Sequence, residues 1–243
     1  MIRIGIVGAA GRMGRAVAAA IAETDGAVLA GGAGHGDDVC AVAQTCDVLV
    51  DFSAAAALRA NLEAAVDAGV PIVVGTTGLG QDGEALVEAA AARIAVLQSA
   101  NMSMGVNLLA HLVREAAARL GEDWDIEIAE MHHRHKADAP SGTALLLGRA
   151  AAEGRGVDLA AVSDRARDGI TGARTRGHIG FAALRGGSVA GDHQVVLAAE
   201  GERIELGHRA ESRDIFARGA VRAALWLAGK PAGRYAMTDV LGL

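Results

Sequence analysis

Up to Gln98 the chain alternates short runs rich in β-branched residues with longer alanine-rich stretches, and this alternation restricts the fold more than any other feature. Residues 2–7, 27–31, 48–52, 72–75 and 94–98 are read as strands, and 12–24, 54–68 and 83–92 as helices. Strands separated by helices run parallel, and a parallel sheet needs helices over both faces. The expected fold class is therefore α/β, a Rossmann-like doubly wound parallel sheet. Ligands of such sheets lie beyond the carboxyl ends of the strands. Small and polar residues gather at those ends here, in 8–14, Asp51-Phe52-Ser53, Gly75-Thr76-Thr77-Gly78 and Ala100-Asn101-Met102-Ser103.

From Met104 the pattern changes. A helix over 106–120 leads to a strand over 125–131, a histidine-rich segment and a helix over 141–153. Residues 154–176, rich in Gly, Asp and Arg, read as a long mobile loop. Three strands without helices between them follow at 177–185, 194–199 and 203–208, so this half is expected to be a second α+β domain with a mixed, largely open sheet. The helix expected over 214–227 has Ile215, Phe216, Val221, Leu225 and Trp226 as its apolar side.

The 243 residues allow two modest domains with cores of their own. A formal charge of −6 excludes a general nucleic-acid binder, which needs a broad basic surface. Cys40 and Cys46 form no C-x-x-C pair and read as buried or half-buried thiols of a reducing compartment. No apolar run reaches the ~18 residues that span a bilayer, and the chain opens on a strand rather than a signal-type segment. A soluble, cytoplasmic protein without membrane or nucleic-acid partners is expected.

The turn Gly8-Ala9-Ala10-Gly11-Arg12-Met13-Gly14 joins the first strand to the first helix. Glycine there permits a tight turn, close approach of backbone to a pyrophosphate, and close helix–strand packing. The spacing G-x-x-G-x-x-G is less specific than G-x-G-x-x-G, and its position after a strand is what gives it weight. A purely structural βα turn is the other reading. The carboxylate that grips the adenosine ribose usually follows about twenty residues on. Here that place reads Gly31-Gly32-Ala33-Gly34-His35-Gly36, with no acid before Asp37, so NADH and NADPH both stay open.

Glu130-Met131-His132-His133-Arg134-His135-Lys136 packs three imidazoles, an arginine and a lysine into its last five positions, and Pro140-Ser141-Gly142-Thr143 then opens a helix. Proton donors and positive charge thus adjoin a helix N-terminus, whose free N–H groups attract anions. Adjacent side chains at a strand end point to opposite sides, so His132 and His133 should not share one task. Capping histidines or a metal site are rival readings; Arg134 and Lys136 weigh against a divalent cation.

His132-His133-Arg134-His135-Lys136 with Asp138-Ala139-Pro140-Ser141-Gly142-Thr143 resembles the signature of the dihydrodipicolinate reductases. The resemblance extends over Gly11-Arg12-Met13-Gly14, Asp51-Phe52-Ser53, Gly75-Thr76-Thr77-Gly78, Asn101-Met102-Ser103-Met104-Gly105-Val106-Asn107, Gly180-Phe181 with Arg185, Gly191-Asp192-His193, and Ser212-Arg213 on to Trp226. It implies reduction of 4-hydroxy-tetrahydrodipicolinate or dihydrodipicolinate to tetrahydrodipicolinate by NADH or NADPH, in lysine and diaminopimelate synthesis. His132 would be the general acid, with Lys136 binding a carboxylate and assisting. His133, Ser141, Gly142, Thr143 and Arg213 would hold the dicarboxylate substrate. Gly8, Gly11, Arg12, Met13, Gly34, His35, Phe52, Gly75, Thr76, Thr77, Ala100, Asn101 and Met102 would line the cofactor cleft. No metal is implied.

The resemblance also implies a homotetramer, built through the sheet of the second domain. Residues 1–103 and 213–243 would bind the dinucleotide and 104–212 the substrate, with a hinge near Ser103 and Ser212 that closes on ligand. Two positions depart from the family pattern. Gly34 replaces the ribose-binding acid, and Met102 replaces an aromatic expected to pack on the nicotinamide. Another nicotinamide dehydrogenase would lack the His-His-Arg-His-Lys block, and a non-catalytic nicotinamide sensor would need no proton donor.

Overall fold

Val48 and Val50 face one side of a sheet and Leu49 the other, and all three are fully buried. That double burial is what a central parallel strand requires. The structure, a computed structural model, describes residues 1–165 and 167–243. Two units are distinguished, Met1–Met104 with Asp214–Leu243, and Gly105–Arg213.

The first unit runs β1 (Ile2–Val7), α1 (Arg12–Ala22), β2 (Ala27–Ala33), α2 (Val39–Ala43), β3 (Val48–Asp51), α3 (Leu58–Ala68), β4 (Ile72–Val74), α4 (Gly80–Ala91) and β5 (Ala95–Gln98). It is completed by α8 (Asp214–Leu227), β11 (Gly233–Tyr235) and α9 (Met237–Leu241). Its strands lie in the order β11-β5-β4-β3-β1-β2 and all pair parallel. Strand order reverses between β1 and β3, so the crevice for a ligand opens past Val7 and Asp51. One face of the sheet buries Val17 and Ile21 of α1 with Ala217, Val221 and Leu227 of α8. The other buries Leu58 and Leu62 of α3 with Val87 of α4.

The second unit contains α5 (Met104–Arg119, shared at its first residue), β6 (Asp125–His132), α6 (Gly142–Arg155), α7 (Leu159–Val162), β7 (Ser163–Asp164), β8 (Ile179–Arg185), β9 (Gly191–Ala199) and β10 (Glu202–Ala210). The sheet order is β10-β9-β6-β8-β7, with β9 antiparallel to β6 and β10 and the remaining pairs parallel. Leu109 and Val113 of α5 and Leu147 and Ala151 of α6 pack on Ile126, Ile128, Val195 and Leu197. The opposite face carries Ala129, Met131, Leu184, Gln194 and Arg209 around an open concavity.

Several sequence expectations need correction. The segment 154–176 is not one loop: α6 continues to Arg155, and α7 and β7 follow. Ala166, within that segment, lies outside the described residues. Arg174 ties the segment to β6, donating to Asp125 Oδ1 (2.7 Å), Glu127 Oε1 (2.8 Å) and the Ile126 carbonyl (3.0 Å). Arg167, Arg174 and Asp164 of this segment are therefore ion-paired. Cys46 is buried, but Cys40 is exposed, because it stands on the outer side of the short helix α2.

The inner face of α8 also differs from expectation. Ala217, Gly219, Ala220, Ala223 and Ala224 are its buried residues, with Val221 and Leu227, while Phe216, Leu225 and Trp226 pack at the margin of the core. Close approach explains this: a Cβ added at Gly219 would stand 1.8 Å from the Met102 carbonyl oxygen. Gly219→Ala must push helix or backbone aside. Overpacking of this kind costs about 1–3 kcal/mol, to be read as a lower urea midpoint with an unchanged m-value.

Candidate active site

In the first unit, backbone geometry makes the site. Gly8 ends β1 at φ +83°, and a Cβ there would be 2.5 Å from the Phe52 carbonyl oxygen. A Cβ on Gly14 would fall 2.3 Å from the Gly8 carbonyl. The β1–α1 turn thus leaves no room for side chains on its inner side. Gly11 begins α1 without a side-chain cap, so the first helical amides remain available to an anion. Arg12 is exposed and makes no hydrogen bond or ion pair among the described residues, and Met13 is half-buried against the core. This cradle, closed to a Cβ and lined by amides, fits a dinucleotide pyrophosphate.

Phe52 lies flat against Gly75, where a Cβ would meet its ring at 2.4 Å. Thr77 and Ala100 are exposed at the same strand ends. Thr76 instead turns inward and donates to Asp51 Oδ1 at 3.3 Å. Asp51 is fully buried and also accepts from Ser53 N (2.8 Å) and Asn61 Nδ2 (3.1 Å). Met102 is buried in the core and Asn101 caps its own turn, its Oδ1 accepting from Ser103 N at 2.9 Å. Thr76 and Met102 can therefore offer a ligand only their backbone. Beyond β2, His35 is exposed, and the Asp37 carboxylate folds back to accept from Gly34 N at 2.8 Å. The short turn thus brings Asp37 back to the end of β2, where the residue order alone showed no acid.

In the second unit the chemistry grows out of β6. Ile126, Ile128, Glu130 and His132 alternate onto its helix-covered face. The first pair joins the apolar core and the second forms the site. His132 Nδ1 is 2.5 Å from Glu130 Oε2, and its Nε2 makes no hydrogen bond among the described residues. Arg185, opposite His132 on β8, grips Glu130 with both nitrogens, at 2.9 and 2.8 Å. The backbone amide of Ser141 donates to Glu130 Oε1 at 3.1 Å. Burial pushes the Glu130 carboxyl up, but hydrogen bonds from Arg185 and His132 outweigh it and hold the group below the usual carboxylate value.

His193 stands opposite Glu130 on β9, its ring 5.0 Å from that of His132. Burial, reinforced by the His132 charge, pushes its imidazole down to about 4. Its Nε2 lies 3.1 Å from Ser141 Oγ, which also accepts from Ala144 N at 3.2 Å and so caps α6. Gly142 follows, and a Cβ there would meet nothing within 4 Å. Half-buried Thr143 completes an open helix N-terminus suited to a carboxylate.

Residues 133–136 are held by backbone bonds from His133 N to Val189 O (2.8 Å) and from Arg134 N to Gly187 O (3.3 Å). His133 turns from His132's partners to Arg213, whose Nη2 donates to His133 Nε2 at 2.9 Å. Burial and then the Arg213 charge lower the His133 pKa, favouring the neutral ring. Lys136 Nζ rests on the exposed Asp138 at 2.9 Å, a surface pair easily exchanged for a ligand carboxylate. Glu130 and His193 were not assigned roles from the residue order. For Glu130 the signal was present: a carboxylate two residues from a histidine in a strand shares its face.

A doubly wound parallel sheet, joined in one chain to a mixed sheet that carries a buried Glu–His pair beside a helix N-terminus, is the architecture of the two-domain reductases. The family models for the N-terminus and C-terminus of dihydrodipicolinate reductase match residues 2–102 and 105–241, and the chain belongs to that family. It is 60% identical to the 4-hydroxy-tetrahydrodipicolinate reductase of Zymomonas mobilis, covering 100% of this chain and 98% of that one. It is 54% identical to the enzyme of the same name from Acidiphilium cryptum, again over 100% and 98%. A dipicolinate-bound dihydrodipicolinate reductase from Paenisporosarcina shares the fold, with TM-score 0.80, 22% identity and 98% coverage of both chains.

His193 makes the stability of this unit pH-dependent. Between the ordinary 6.5 and about 4 the unfolded chain takes up a proton that the folded chain refuses, so stability falls as pH drops through that window. Those two values correspond to a loss of about 2 kcal/mol at pH 5 relative to neutrality. Urea denaturation of the wild type and His193→Gln at both pH values checks this, the variant losing less.

Proposed function

We propose that this chain reduces 4-hydroxy-tetrahydrodipicolinate, or its dehydrated form dihydrodipicolinate, to tetrahydrodipicolinate in lysine and diaminopimelate synthesis, with His132 as proton donor. One observation carries the assignment of roles: His132 has a single ring nitrogen engaged, by Glu130, while the open N-terminus of α6 lies on the other side of the same carboxylate. The Paenisporosarcina relative holds dipicolinate, a planar dicarboxylate. A substrate of that shape suits the donors at hand. Ser141, Gly142 and Thr143 receive one carboxylate at the helix end, while Lys136, released from Asp138, with His133 and Arg213 receives the other. Charge-assisted hydrogen bonds of this kind contribute about 1.5–3 kcal/mol each.

When bound, reduced nicotinamide supplies a hydride. His132 delivers the matching proton from Nε2, the ring nitrogen that no other residue engages among the described residues. Gly8, Gly11, Arg12 and Met13 would hold the pyrophosphate, with Phe52, Gly75, Thr77 and Ala100 along the strand ends. Gly34, His35 and Asp37 would take the adenosine ribose, where the Asp37 carboxylate would oppose a 2′-phosphate and favour NADH. The reducing cytoplasm agrees with two free thiols.

The test is nicotinamide oxidation by the purified chain supplied with fresh synthase product, run with each cofactor. Turnover is expected with NADH preferred, and His132→Ala should lose about 10²–10⁴-fold in kcat with cofactor binding retained. Absence of turnover despite cofactor binding would reject the assignment.

The uncovered face of the second sheet supports self-association. Met131 and Leu184 lie side by side on β6 and β8, and Leu184 is 56% exposed. We assign this face to a homotetramer interface. Equilibrium sedimentation should give the mass of four chains, and Leu184→Glu should shift it toward smaller species; a wild-type monomer would refute the assignment.

A further inference from the structure

The buried carboxylate beside the proton donor is held too completely to be a passive neighbour. Glu130 is 2% exposed and spends both oxygens on three partners from different elements: Arg185 on β8, His132 on β6 and the Ser141 amide at the start of α6. Arg185 is itself fixed, donating to the Leu184 and Asp138 carbonyls at 2.6 Å each. A carboxylate so clamped accepts only, so the hydrogen between it and His132 sits on Nδ1. The bond orients the ring, and Nε2 is left without a hydrogen-bond partner among the described residues. The same carboxylate holds the first residue of the carboxylate-binding helix end.

We propose that Glu130 is a positioning residue, fixed by Arg185, that orients His132 for proton delivery from Nε2 and sets its register to the substrate carboxylate held at Ser141. The proposal rests on the reading of His132 as the proton donor. No atom of Glu130 meets the substrate, and its action runs through the imidazole. Its replacement should therefore lower the rate of the chemical step far more than it weakens binding. Glu130→Gln preserves shape, but its single oxygen cannot accept from both Ser141 N and His132 Nδ1–H; with the oxygen kept on Ser141, the amide NH2 faces His132 and favours the opposite ring tautomer.

The experiment compares Glu130→Gln, Glu130→Asp, Arg185→Gln and His132→Ala as full chains, measuring kcat, KM, NADH affinity and imidazole N–H resonances. Glu130→Gln should lose about 10²-fold in kcat, within the span a placed proton donor contributes, with KM and NADH affinity changed less than about threefold. Glu130→Asp should recover part of that loss, and Arg185→Gln should fall between Glu130→Gln and wild type. A downfield N–H resonance of the wild type should vanish in both His132→Ala and Glu130→Gln. If Glu130→Gln turns over like the wild type while His132→Ala does not, the positioning role is wrong and the proton donor stands. A rise in KM and loss of NADH affinity equal to the loss in kcat would show a merely structural carboxylate. If His132→Ala retains full turnover, the underlying reading of the site falls instead.

Discussion

The charge of Glu130 is the constraint on which the second unit depends. An ionised carboxylate out of water is tolerable only when it is paired and hydrogen-bonded. Here the pairing comes from a guanidinium, an imidazole and an amide on three elements. Removing one member of such a buried set typically costs about 3–5 kcal/mol, because the remaining charge is stranded. The carboxylate is thus a structural knot and a chemical one at once. It joins β6, β8 and α6, and it leaves one nitrogen of one histidine free.

The two units reach their chemistry by opposite means. On β6 the strand alternation that sends Ile126 and Ile128 into the core sends Glu130 and His132 to the same face, so side chains form the site where the apolar packing ends. At the carboxyl ends of the first sheet, side chains are excluded from the β1–α1 turn and the first amides of α1 carry no side-chain cap. Gly8, Gly14 and Gly75 each sit where a Cβ would strike backbone or the Phe52 ring. The polar side chains nearby, Asp51, Asn61 and Thr76, satisfy one another and brace the strand ends.

The first five strands, down to the three-residue β4, and the major helices were legible in the residue order, whereas α2, α9 and β11 were not. Composition misled at 154–176, where arginines and acids suggested solvated loop, because partners such as Arg174 and Asp125 are far apart in the chain. On α8 the large apolar residues do not mark the inner face. The helix approaches the Met102–Ser103 segment too closely at Gly219 for any side chain, and alanines fill most of the rest of that face.

By itself the sequence determined the local rules: which segments become strands, where glycine permits a tight turn from strand to helix, and that imidazoles and cations adjoin a helix start. Those follow from neighbours a few residues apart, and they were enough to indicate the family. Tertiary structure decided which histidine receives the carboxylate, which turns to Arg213, and that Asp37 reaches the end of β2. Arg185 and Glu130 are 55 residues apart in sequence. Their pairing exists only once two strands align, and burial then makes that one ionic contact decisive for the placement of the Glu130 carboxylate against His132.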